Sequence, residues 1–133
     1  MFLFHLTPAE RVTFVGLAKH LIAADGGEGP AETATLSAMA AELGTALGNL
    51  PALLPTSEVL GAFVSRSSKA TVVLELLRLA YADGLPHPNE MELLQVIAVG
   101  LGISELRLLE MENWVVQQMP LLAEAELFLT QDE

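Results

Sequence analysis

The chain has no cysteine. That removes disulfides, thiolate zinc sites and cysteine nucleophiles together, and it fits a reducing compartment. Basic residues are scarce: Arg11, Lys19, Arg66, Lys69, Arg78 and Arg107 stand against 17 acidic residues, for a net charge of -11. These six are spread along the sequence, so no basic patch that would neutralise phosphates is expected, and nucleic acid is not an expected partner. The acid excess suits a cationic partner, a metal ion or plain solubility. No run approaches the roughly 18 apolar residues of a membrane span. The apolar start, Met1-Phe-Leu-Phe-His-Leu6, is too short for a signal-peptide core and has no basic residue before it. A soluble, cytoplasmic protein without an integral membrane segment is the expectation. Sustained period-two alternation is also missing, so strands are not expected. There is no Gly-x-Ser-x-Gly elbow and no phosphate-binding glycine loop, and the expectation is that the protein is not an enzyme.

What is present is an apolar chain of 133 residues, 52% hydrophobic and 17% charged. That size predicts one domain, able to bury about two-thirds of its unfolded surface without staples. A stretch also occurs twice. Ala24 to Gly44 aligns with Ala82 to Gly102 at an offset of 58 positions, and nine of the 21 pairs are identical. They include Asp25/Asp83, Gly26/Gly84, Pro30/Pro88, Glu32/Glu90, Leu36/Leu94 and Gly44/Gly102. The shared frame is Asp-Gly-x-x-x-Pro-x-Glu. Two copies argue for an internally duplicated domain rather than a solenoid.

Helical signals fill the rest. Thr7-Pro-Ala-Glu10 is a capping box, with a helix predicted to about Ala24 on a face of Val12, Val15 and Ile22, widened by Phe14, Leu17 and Leu21. Pro30 starts a second helix on Leu36, Met39, Leu43 and Leu47, stopped by Gly48. Asn49 to Thr56 reads as an irregular connector, and Thr56 or Ser57 caps a short helix to about Ser65. Ser67-Ser68 caps a fourth helix to Ala82, and Pro88 to about Gly100 makes a fifth. Ser104 caps a sixth, with Trp114 expected in the core, and Pro120 breaks it to start a seventh. The predicted architecture is all-α, about seven helices in one domain over 1–133. Its repeat halves are about 7–48 and 67–102, related as pseudo-twofold helical pairs, with C-terminal helices over 104–129.

In each copy a carboxylate leaves one helix and another enters the next, seven residues on. Brought together by a pseudo-twofold, Asp25, Glu32, Asp83 and Glu90 would form a four-carboxylate set suited to a hard divalent ion. Calcium, magnesium or manganese is favoured over zinc. The loops are not EF-hands, because glycine follows the first aspartate directly. Each residue of the frame also has a purely local job: Asp-Gly turns the chain, proline starts a helix and glutamate complements its dipole. Serine or asparagine would cap as well, yet acid recurs at both positions.

The paired Ala-Asp-Gly-x-x-x-x-x-Glu elements, each leading into an apolar helix, resemble the TerB-like (tellurite-resistance) family. The likeness runs from about Thr7 to Trp114. It is closer in the second copy, through Leu79-Ala-Tyr-Ala-Asp-Gly84 and His87-Pro-Asn-Glu90. The resemblance implies an all-helical fold of paired helices whose acidic cluster binds a metal in a bacterial stress-response system. By position its ligands would be Asp25, Glu32, Asp83 and Glu90, and some members associate with membranes at the periphery. The alternative is a metal-free helical interaction or scaffold module whose loops are only helix caps, with a protein partner or a second copy of the chain as its target.

Overall fold

The computed structural model of the protein describes residues 2–24, 30–44, 50–82 and 86–130. It is all-helical there. A 3-10 turn, Leu3–His5, precedes α1 (Pro8–Ala23), α2 (Pro30–Leu43), α3 (Ser57–Leu60), α4 (Arg66–Ala80), α5 (Pro88–Gly100) and α6 (Glu105–Thr130).

α4 is the central element. It packs against α1, α2, α5, α6 and the 3-10 turn. Its sequence explains that position. Val72, Val73, Leu76, Leu77, Leu79 and Ala80 are all buried, and a helix that is apolar on most sides must be surrounded. Phe14, Leu17 and Leu21 of α1, Met39 of α2, and Leu94 and Ile97 of α5 complete the core. α6 closes the bundle with Leu108, Met111 and Val115, and it packs on α4 and α5.

Two pairs of helices share one spacing. α1 and α4 begin at Pro8 and Arg66, and α2 and α5 at Pro30 and Pro88, each pair 58 residues apart. The hydroxyls that cap α1 and α4, on Thr7 and Ser65, stand at the same offset. So do Gly44 and Gly102, at φ 69° and 76°. Both glycines take the left-handed conformation that closes a helix, which a side chain would strain. α1 meets α5, and α2 meets α4. At the first turns, Ser68 Oγ donates to Glu10 Oε1 over 2.8 Å, and these two residues also stand 58 apart.

Several boundaries differ from the sequence reading. α2 stops at Leu43, because Gly44 ends it; Leu47 and Gly48 lie outside the described residues. α4 is capped by Ser65, whose Oγ accepts from the Ser68 amide at 3.0 Å, and not by Ser67-Ser68. α3 is four residues long. α6 runs unbroken through Pro120, so six α-helices are described where about seven were expected. A mid-helix proline removes one hydrogen bond at a cost of about 3 kcal/mol, and the flanking Leu121-Leu-Ala-Glu-Ala-Glu126 consists of strong helix formers. Val12 is 44% exposed rather than core. Trp114 is 39% exposed, lying against Phe2 with ring centroids 5.8 Å apart.

The connector after α2 crosses α1 where α1 has no side chain. The Leu53 amide donates to the Gly16 carbonyl at 2.9 Å, and Lys19 Nζ donates to the Leu50 carbonyl at 2.6 Å. A Cβ at Gly16 would sit 2.5 Å from Leu53 Cγ, so the crossing requires glycine.

Candidate functional site

The second repeated loop is described from Pro86 onward, and there its acid closes on its own helix. Pro88 is the first residue of α5 and His87 its N-cap. The His87 ring accepts from the Asn89 amide at 3.1 Å, through Nδ1. Glu90 Oε1 accepts from the His87 amide at 3.0 Å. This is a capping box with histidine in the place of the usual hydroxyl. Glu90 is only 2% exposed. With Oε1 on the backbone, its remaining oxygen for any ion is Oε2, which is itself buried. Glu32, at the matching position of α2, is likewise buried in the first turn. Asp25 and Asp83 lie outside the described residues.

The exit of α1 meets the entry of α5. Asn89 Nδ2, at the entry to α5, donates to the carbonyl of Ala24, at the exit of α1, over 3.2 Å. The end of the second loop therefore touches the start of the first. Among the described residues, no group of three or more His, Asp or Glu has the geometry to hold a metal.

Other carboxylates carry more of the architecture than the motif suggested. Glu10 closes the capping box at α1, accepting from the Thr7 amide at 2.9 Å. It also accepts from Ser68 Oγ and, through Oε2, from the Val64 amide at 3.2 Å. Burial pushes its pKa up, but hydrogen bonds from Thr7, Ser68 and Val64 outweigh that and hold it below the usual carboxylate value. Glu75 Oε1 accepts from the Phe2 amide at 3.0 Å while Arg78 holds Oε2 at 2.7 Å. Glu42 of α2 takes the Leu3 amide at 3.2 Å. The first amides of the 3-10 turn, which have no partner within it, are thus docked on α4 and α2. Glu75 went unnoticed in the sequence; its only signal is a single acid inside the apolar run Thr71 to Leu77. Tyr81, at the end of α4, donates its hydroxyl to Glu112 of α6 at 2.6 Å. Burial and that carboxylate raise its pKa to about 12.

Scattering of the basic residues does not survive folding. Arg66 and Lys69 of α4 and Arg107 of α6 border one cleft. Positions about 40 residues apart meet because α4 and α6 pack with their first turns at the same end, the end of α4 away from the repeated loops.

The fold and loops define an all-helical bundle in which two helix pairs share a common spacing and an acidic entry turn. No protein-family model matches the chain, no curated protein matches it, and no solved structure matches its fold.

Proposed function

We propose that this chain is a TerB-like, internally duplicated helical module that works by binding through its surfaces, with the glutamates of its repeated loops acting as helix caps. The observation that carries this reading is the Glu90 carboxylate, turned back onto the His87 amide at 3.0 Å. A ligand has to present its lone pairs to the ion; a cap presents them to its own backbone. Glu10 supports the same assignment, since it makes the same capping contact at α1 with no repeat motif around it. The common offset of helices, caps and closing glycines supports the duplication. A surface role is supported by α6, whose outer side leaves Leu106, Leu109 and Val116 exposed. By the resemblance, such a module belongs to a bacterial stress response, where it would engage a partner protein or a second copy of itself; light scattering separates the two.

The Asn89–Ala24 bond favours a second reading, because it joins the exit of α1, just before Asp25 in the chain, to the entry of α5, where Glu90 lies. In that reading Asp25, Glu32, Asp83 and Glu90 hold a hard divalent ion. One experiment decides between them. Chelator-stripped protein is melted with and without millimolar calcium, magnesium, manganese or zinc. The capping reading expects an unchanged Tm with every ion, and a loss of about 1 kcal/mol on Glu90→Gln. An ion that raises Tm, as any ligand specific to the native state must, and loses the effect in Asp83→Asn with Glu90→Gln would establish the metal site instead.

A further inference from the structure

We propose that the cleft between the first turns of α4 and α6 binds a small organic anion, a phosphoryl or carboxylate head on an apolar body. The cleft has a volume of about 800 Å³, within the range of about 300–1,000 Å³ typical of small-molecule sites. Half of the basic residues in the chain line it: Arg66, Lys69 and Arg107. Among the described residues no acid lines it, although the chain carries 17. Leu101, Ile103 and Met111 supply an apolar wall, and Ser67 and Ser104 add hydroxyls. A cationic rim around an apolar wall fits an amphipathic anion.

The cations are open to a ligand. Among the described residues, neither Arg66 nor Lys69 makes an ion pair. Arg107 reaches Glu110 at 3.8 Å, with both side chains more than half exposed, a contact that water screens and an incoming anion can displace. The placement is also electrostatically costly without a ligand. α1, α2, α3, α5 and α6 each carry an acid in the first turn, as the helix dipole favours, whereas α4 has none and carries Arg66 and Lys69 there. A bound anion would reverse that cost, since it would meet both the side-chain charge and the positive ends of two helices. The source of the anion follows from the rest of the surface. At net charge -11 the molecule is repelled by anionic bilayers, so a free small molecule fits the cleft, not a lipid headgroup held in a membrane. This site lies at the other end of α4 from the acidic loops and does not depend on whether those bind metal.

The test is an amide-resolved NMR titration with n-octyl phosphate, inorganic phosphate and n-octanol in parallel. Saturable shifts at residues 66–70 and 102–107 are expected with octyl phosphate, weaker ones with inorganic phosphate, and none there with octanol. Combining Arg66→Gln, Lys69→Gln and Arg107→Gln should weaken octyl phosphate by about tenfold or more. These side chains sit at the surface, and an unchanged amide spectrum elsewhere verifies that the variant is folded. Equal shifts with octanol, no saturable shifts, or undiminished binding in the variant would overturn the assignment. Co-sedimentation with phosphatidylglycerol vesicles that the variant loses would overturn the choice of a free ligand.

Discussion

Glu10 and Glu90 show how one residue type at one helix position reaches different depths of structure. Each occupies the third position of a helix and accepts from the backbone amide of its N-cap. Thr7-Pro-Ala-Glu10 advertised that bond in the sequence, because a capping box is local. The further bonds of Glu10 to Val64 and Ser68 were not legible, since they join positions 54 and 58 residues away. Removing this carboxylate leaves two part-buried amides and one buried hydroxyl without their acceptor. Glu10→Ala should therefore cost about 3 kcal/mol in urea unfolding, and Glu10→Gln less, because the amide oxygen still accepts. A pH effect accompanies it. The folded-state pKa of Glu10 is depressed, so its stabilisation is complete above the unfolded carboxylate value. It is lost as pH falls through the lower, folded value. Unfolding free energies measured from pH 7 down to 3 should fall less steeply in Glu10→Gln than in the parent chain; parallel curves would remove this role.

At the scale of elements, periodicity and caps locate every described helix that is longer than one turn, and apart from the break expected at Pro120 the differences sit at the ends. Pro88 to Gly100 was legible because a proline and an acid start it and its apolar positions are regular. The end of α2 differs from the sequence reading because Gly44 and Gly48 offer the same local signal, and the helix ends at the left-handed backbone of Gly44. Pro120 was read as a break because the rule for proline is local, while α6 as a whole is 26 residues long. Its first half is anchored through Leu108, Met111 and Val115, so the helix is already nucleated when it reaches the proline, and propagation is the easy step. Pro120→Ala should accordingly raise stability by about 1–3 kcal/mol and increase helical ellipticity at 222 nm. A drop in ellipticity would mean the proline ends the helix in solution.

The molecule as a whole is an acidic bundle with half of its few cations gathered at one cleft. The remaining surface is more negative than the net charge conveys, and self-repulsion destabilises the folded state. Raising sodium chloride from about 0.02 to 0.3 M shortens the screening length severalfold, and Tm should rise by about 4 °C or more, the equivalent of about 1 kcal/mol for a domain of this size. A Tm that falls with salt would instead mean that attraction within ion pairs outweighs the repulsion. The sequence by itself determined the helical class and the capping box at Thr7, because these depend on neighbours within one or two turns, and it displayed the 58-residue spacing directly. Only the tertiary structure decided that Asn89, beside the locally closed Glu90, reaches across to Ala24. It likewise decided that Glu10 and Glu75 dock distant backbone, and that Arg66, Lys69 and Arg107 share a cleft. Those outcomes depend on which helix ends pack together, and that is set by the buried faces of α4 and its neighbours acting over the whole chain.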